Sequence, residues 1–183
     1  WNGTPVGSLC DVTCFSFNAM KNLAIGDGGM VTVRDQELAR KIATHRSLGL
    51  DRDTYARYGR AVENPNRASW DYDVVSEGLR NHMNDIAAAC GLVQLSRLTE
   101  LNGKRAALVA RYEEHLADLS GARPVRARPG TSPSNHMYTV RLRNRTRFIS
   151  EMSLQGVSIG VHYKPIHHFS LAKPYYRHLP VTD

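Results

Sequence analysis

Lys21 is the residue whose type and setting point most directly to chemistry. It follows the apolar run Phe15-Ser16-Phe17 after a few small and polar residues, and the glycine-rich stretch 26–29 comes shortly after it. Burying a lysine charge costs free energy, so a lysine against apolar neighbours must be paired, exposed or used chemically. Partial loss of water favours the neutral amine, which can condense with a carbonyl to form a Schiff base. Taken alone, the local pattern favours a plainer interpretation, a lysine whose ammonium reaches solvent at a strand end.

A second group of polar side chains lies near the C-terminal end of the sequence. His162, His167 and His168 are close together, and Tyr163 follows the first of them. No acidic residue or cysteine stands nearby in sequence, so the set is a poor one for zinc or another metal, and we predict no metal site. The structural alternative is that these side chains are merely hydrogen-bonded at the end of a strand.

Composition limits the class of protein. The chain has 183 residues, of which 42% are hydrophobic, enough for one packed domain or for a piece of a larger protein. We find no apolar run of membrane-spanning length and no charged and apolar leader. The chain has only three cysteines, Cys10, Cys14 and Cys90, and this small, odd number suits reduced thiols rather than disulfides. These features predict a cytoplasmic protein with no membrane partner.

The net charge of +7 favours anionic partners. The arginines are scattered through 34–60, 97–111 and 123–147 and are not interleaved with repeated aromatic residues, as a single-strand stacking platform would require. A phosphorylated small molecule needs only a few of these charges. Nucleic acid is therefore not predicted as a partner, although a non-catalytic module that binds nucleotides or nucleic acid remains an alternative.

Local patterns predict strands and a helix in the first part of the chain. Segments 12–17 and 30–33 are rich in β-formers, and the Asp-Gly pair within 26–29 is a strong hairpin signal between them. Asp35 can cap a helix that continues to Leu48 and ends at Gly49. Residues 50–82 lack periodicity and predict a long irregular connection.

The second part predicts an α+β arrangement. A long helix begins after Asn84 or Asp85 and runs to about Leu119, weakened at Gly103. Glycines and prolines in 121–133 mark a boundary between subdomains. A strand over 137–142, a helix over 146–155 and a strand over 157–162 complete the pattern.

Five segments in order, 3–8, 15–22, 26–31, 85–95 and 160–167, together resemble the DegT/DnrJ/EryC1/StrS family of nucleotide-sugar aminotransferases. The resemblance implies the α/β fold of pyridoxal-phosphate-dependent transferases of fold type I, which is aspartate aminotransferase-like. Residues 1–120 would be the latter part of the large cofactor-binding domain with the interdomain helix. Residues 121–183 would be most of the small C-terminal α+β domain.

The resemblance also implies roles for individual residues, and it outweighs the plainer interpretation of Lys21. Lys21 would condense with the aldehyde of pyridoxal 5'-phosphate, and Ser16 would contact the cofactor phosphate. Arg80 stands where many members have an asparagine that reaches the partner subunit's cofactor phosphate. Arginine also binds phosphate, and Asn81 is the alternative if the alignment slips by one residue. Three further residues would lie near the sugar nucleotide: His162, Tyr163 and His167.

By this resemblance, the protein would move an amino group, from glutamate, to a keto sugar attached to a nucleotide, and it would act as a homodimer. The phosphate-binding loop, the ring-stacking aromatic residue and the aspartate that pairs with the pyridine nitrogen would precede Trp1, and a final helix would follow Pro180. The isolated chain is therefore expected to be incomplete for catalysis. A dehydratase of the same family is the nearest alternative, but those relatives carry histidine where this chain has Lys21.

Overall fold

The computed structural model describes residues 1–51, 70 and 72–182. They form two compact units, one of Trp1–Asp118 with Pro124–Thr139 and one of Leu119–Arg123 with Val140–Asp183. Residues 124–139 thus belong to the first unit, whereas the sequence predicts a single boundary at 120 with all later residues in the second domain. The predicted domain boundary at 120 stays a prediction.

An antiparallel strand pair carries the segment that contains Lys21. Strand β1, Val12–Ser16, pairs with β2, Gly29–Val33, in a register that sets Val12 opposite Val33 and Ser16 opposite Gly29. Both predicted strands are present. The predicted tight turn over 26–29 is wrong, because the whole of 17–28 forms the connection. Backbone bonds from Phe17 N–H to the Gly28 carbonyl and from Ala19 N–H to the Gly26 carbonyl, each 2.8 Å, hold this loop together.

Helix α1, Gln36–Arg46, begins at the predicted cap. The Asp35 carboxylate accepts hydrogen bonds from the backbone N–H groups of Glu37 and Leu38 at 2.7 and 2.9 Å. The helix ends at Arg46 rather than Leu48, because Leu48 and Gly49 both adopt left-handed backbone angles, with φ of 62° and 75°. Such angles cannot continue a right-handed helix.

The Asp35 cap predicts a dependence of stability on pH. Hydrogen bonds from the backbone N–H groups of Leu38 and Glu37 hold the pKa of Asp35 below its ordinary value of 3.8. A carboxyl group whose pKa is lower in the folded than in the unfolded state stabilises the fold at pH values above the unfolded pKa. This contribution is lost as the pH falls through the folded pKa. Asp35→Asn keeps a capping oxygen without titrating. The unfolding midpoint in denaturant should therefore drop more for the unaltered protein than for Asp35→Asn as pH falls below about 4; parallel profiles would contradict this.

Helix α2, Asp85–Leu116, is the longest element of the first unit. Asn84 caps it by accepting a hydrogen bond from Ala87 N–H at 2.9 Å. The helix is continuous through Gly103 and ends at Leu116, close to the predicted end at about Leu119. A single glycine costs about 1 kcal/mol in a helix interior, which the many other hydrogen bonds of so long a helix outweigh.

Around the second unit, the structure has the first of the two predicted strands and the predicted helix, together with a short strand that the sequence does not predict. Strand β3, Ala122–Pro124, pairs with β4, Val140–Leu142, and helix α3, Arg145–Leu154, follows from its cap at Asn144. The predicted strand over 157–162 is wrong: within the described residues this segment pairs with neither β3 nor β4. Its β-forming composition does not suffice, since a strand needs a neighbour that shares its backbone hydrogen bonds.

Three features complete the description. Short 3-10 helices, Ile166–His168 and Ser170–Tyr175, follow in the second unit. Within the part of the chain that the structure describes, no helix combines the length and the apolar character needed to cross a bilayer. The described ends of the predicted connection over 50–82 are irregular, with an isolated bridge between Leu50 and Val74, and 52–69 and 71 lie outside the described residues.

Candidate active site

Asn18 organises the short segment between Ser16 and Lys21. Its side-chain oxygen accepts a hydrogen bond from Met20 N–H at 3.1 Å, and its backbone carbonyl accepts one from Lys21 N–H at 2.9 Å. The backbone N–H of Asn18 in turn donates to Ser16 Oγ at 3.4 Å. Asparagine favours such turns because its side chain can replace a backbone acceptor. The hydroxyl of Ser16 and the base of the Lys21 side chain therefore belong to one hydrogen-bonded turn.

The amine of Lys21 is left available by its surroundings. The residue is half-buried, and its Nζ makes no hydrogen bond or ion pair within residues 1–51, 70 and 72–182. Ser16 is exposed at the end of β1. Ser16 and Lys21 thus lie in one turn at the end of the strand pair.

Asn22, the next residue, connects this turn to distant parts of the first unit. Its side-chain nitrogen donates to the Ser134 carbonyl at 2.7 Å and to Asn102 Oδ1 at 3.2 Å. Its oxygen lies 3.2 Å from His136 Nδ1. The sequence assigns no function to these residues. The one feature that points to this contact is Asn102 itself, a polar residue on the half-buried side of α2 beside Leu101.

The segment that carries Arg80 is fixed to the C-terminal end of α1. Leu79 N–H donates to the His45 carbonyl at 2.7 Å, and Asn81 N–H donates to the Arg46 carbonyl at 2.9 Å. Residue Arg80 itself forms an isolated bridge with Ser47. These bonds satisfy carbonyl groups that a helix end leaves unpaired, and they hold the backbone of Arg80 in place.

Two close contacts strengthen this attachment. Ser47 has a relative exposure of 2%, and its hydroxyl lies 3.0 Å from His82 Nε2. Gly78 lies so near Gly49 that a side-chain carbon at Gly78 would collide with the backbone. Only glycine allows this approach. The Arg80 side chain remains exposed, and within the described residues no hydrogen bond or ion pair joins it to Ser16 or Lys21.

His162, Tyr163 and His167 lie in the second unit. The rings of His162 and Tyr163 meet edge to face with centroids 4.5 Å apart. His167 packs against His168 and Tyr176 at centroid distances of 4.3 and 5.7 Å. The ring contacts among the described residues thus form two local clusters. Within the described ranges, no group of three or more histidine, cysteine or acidic side chains is placed to hold a metal ion.

The sequence model of the DegT/DnrJ/EryC1/StrS aminotransferase family matches residues 1–183. This chain belongs to that family. Among curated relatives, SpsC, a spore coat polysaccharide biosynthesis protein of Bacillus subtilis, is 31% identical over 94% of this chain and 43% of its own length. An uncharacterized protein of Methanocaldococcus jannaschii, MJ1066, is 33% identical over 97% of this chain and 45% of its own.

Solved structures agree with this assignment. The aminotransferase TlmJ of Streptoalloteichus hindustanus is 34% identical with a TM-score of 0.79, over 93% of this chain and 43% of that one. A putative sugar aminotransferase of Streptococcus pneumoniae, Spr1654 in its PMP form, is 31% identical with a TM-score of 0.83, over 96% and 45%. The predicted α/β fold of type I pyridoxal-phosphate-dependent transferases is confirmed. The chain spans less than half the length of the relatives it matches.

The residues present fit pyridoxal phosphate. The cofactor carries an aldehyde and a phosphate. The turn at the end of β1 offers half-buried Lys21, whose amine has no partner in the described part of the chain, and exposed Ser16 with its hydroxyl. The donor set is thus the kind that this cofactor requires.

Proposed function

We propose that the protein containing this chain is an aminotransferase that uses pyridoxal phosphate to move an amino group from glutamate to a keto sugar linked to a nucleotide. The observation that carries the proposal is that half-buried Lys21, whose amine has no partner among the described residues, belongs to the same turn as Ser16. The match to the family over the whole chain supports it.

Lys21 has two tasks in this proposal. When bound, the cofactor supplies an aldehyde for the lysine and a conjugated ring that draws electrons from the substrate. The Lys21 amine would hold the cofactor through its aldehyde. Once free, the same amine would move a proton at the reacting carbon of the substrate. The turn around Asn18 keeps the base of this side chain fixed between the two tasks.

Ser16 and Arg80 are assigned to the cofactor phosphate. Ser16 donates its hydroxyl from the same subunit as Lys21. Arg80 acts from the partner subunit of a homodimer. Two observations support this role: its side chain is exposed, and its backbone is bonded to the end of α1. A side chain that reaches into another subunit must leave its own surface from a well-defined position. Asn81, anchored through its backbone, is the alternative.

His162, Tyr163 and His167 are assigned to the sugar nucleotide. Imidazole and phenol groups can hydrogen-bond sugar hydroxyls, and their rings can stack on a base. The net charge of +7 suits a substrate with a diphosphate. We place the enzyme in the cytoplasm, where the free thiols of the three cysteines would stay reduced.

The test is a transamination assay on the whole protein. It is incubated with pyridoxal phosphate, glutamate and a panel of nucleoside-diphosphate keto sugars, and the products are analysed by mass spectrometry. We expect equal amounts of amino-sugar nucleotide and 2-oxoglutarate. A deoxygenated sugar would indicate the dehydratase alternative, and salt-dependent binding of oligonucleotide without cofactor uptake would indicate the binding module.

A further inference from the structure

Asn22 has more long-range hydrogen bonds than any other side chain near Lys21 in the described part of the chain. Its Nδ2 group donates to the Ser134 carbonyl at 2.7 Å and to Asn102 Oδ1 at 3.2 Å, and its Oδ1 lies 3.2 Å from His136 Nδ1. The partners are 80 to 114 residues away in sequence. Both donors and one acceptor site of the amide are therefore used.

The orientation of the Asn22 amide follows from its partners. The Ser134 carbonyl can only accept, so the group facing it must be the nitrogen. Asn102 Oδ1 is likewise an acceptor, since Arg105 donates to the same oxygen at 3.1 Å. A flipped Asn22 would set its oxygen against both of these oxygens. The oxygen of Asn22 therefore faces His136, whose Nδ1 must carry the hydrogen.

We propose that Asn22 is a positioning residue that fixes the backbone from which Lys21 reaches its ligand. On one side of Lys21, its own N–H is bonded to the Asn18 carbonyl at 2.9 Å. On the other side, Asn22 attaches the chain to α2 through Asn102 and to the 134–136 segment. The Cα of Lys21 is thus held from both directions, and only the side-chain torsions remain free. This inference rests on the proposed role of Lys21.

The benefit is geometric. A lysine that must both hold a cofactor and carry a proton needs its amine within contact distance of two different atoms. A misplacement of about 1 Å costs on the order of 100-fold in rate. Asn22 touches neither ligand nor reacting atoms in this account, so its effect passes through the position of Lys21.

Asn22→Ala in the whole protein tests the proposal. Two readouts do not depend on turnover. One is hydrogen–deuterium exchange in the cofactor-free protein, where the amides of 17–28 should exchange about tenfold faster once the bonds of Asn22 are lost. The other is labelling of the loaded protein, measured as the amount of pyridoxyl group that borohydride fixes on Lys21. Asn22→Ala should be labelled less.

The pH titration of the cofactor absorbance should also shift in Asn22→Ala. In the kinetics, kcat should fall about 10- to 100-fold, and KM should change less.

Asn144→Ala is the matched control. Asn144 caps α3 in the second unit with a hydrogen bond from Arg147 N–H at 3.2 Å. Its loss should lower stability by the amount typical of a cap while leaving exchange in 17–28 and labelling of Lys21 unchanged. His136→Ala removes one bond of the network and serves if Asn22→Ala does not fold. It should give an intermediate effect, and the double variant should be no worse than Asn22→Ala alone.

The outcomes separate two failures. If the unaltered protein binds no cofactor at Lys21, the proposed function is wrong. If it does, and Asn22→Ala and His136→Ala leave both the exchange of 17–28 and the cofactor titration unchanged, the positioning role of Asn22 is wrong while the proposed function stands.

Discussion

Replacing Lys21 by alanine should abolish covalent attachment of pyridoxal phosphate and lower the rate of amine transfer by about 1,000-fold or more. The variant loses the group that holds the cofactor and also the base that moves the proton, and general-base catalysis alone is worth about 100- to 10,000-fold. The absorbance of the lysine-bound cofactor should disappear, and steady-state kinetics with glutamate measure the rate.

Lys41→Ala is the control for this change. Lys41 lies on α1, is exposed, and forms an ion pair with Glu37 at 2.8 Å. Its removal changes the net charge equally and should cost little, because an exposed pair of this kind contributes at most about 1 kcal/mol. Equal absorbance and activity in the Lys21 and Lys41 variants would contradict the assignment of Lys21.

Replacing Arg80 by alanine should weaken cofactor binding about 10- to 100-fold, as expected for the loss of one charge-assisted hydrogen bond to a phosphate. The rate at saturating cofactor should change much less, since Arg80 is assigned to binding and not to the reacting atoms. Cofactor titration of the apo protein measures the effect. Asn81→Ala is the comparator, and a larger loss there than at Arg80 would move the role to Asn81.

Mixed dimers test whether Arg80 acts on the partner subunit. A dimer of one Lys21→Ala subunit and one Arg80→Ala subunit has one intact site if Arg80 crosses the interface, because Lys21 of the second subunit then meets Arg80 of the first. If Arg80 served its own subunit, each site would lack one of the two residues. Co-expression with two different tags isolates this dimer. Recovery of one working site per dimer at limiting cofactor supports the crossing, and no recovery contradicts it.

Local sequence signals account well for the elements that carry the candidate site. Asp35 and Asn84 both cap the helices that the sequence predicts from them, because a capping side chain acts within three residues. The two strands around Lys21 are equally local in origin, since alternation and β-formers determine them. Family resemblance adds the chemistry of Lys21, which the residues around it do not establish by themselves.

The parts that sequence reasoning missed depend on contacts between distant residues. The Asp-Gly signal at 27–28 is real, yet Phe17 N–H pairs with the Gly28 carbonyl, so the loop closes around Lys21 instead of turning tightly. The predicted strand over 157–162 is absent because, among the residues that the structure describes, no strand pairs with this segment. Asn22 contacts Ser134 and His136 across more than a hundred residues, and no local pattern reveals such a bond.

Borohydride reduction followed by peptide mapping tests the central assignment most directly. The whole protein is loaded with pyridoxal phosphate, reduced, digested and analysed by mass spectrometry. A pyridoxyl group should be found on Lys21, in about one copy per subunit, and should disappear in Lys21→Ala. If the protein takes up the cofactor but the label is found on a different lysine, or on no lysine, the role of Lys21 is contradicted. The proposed function depends on that role.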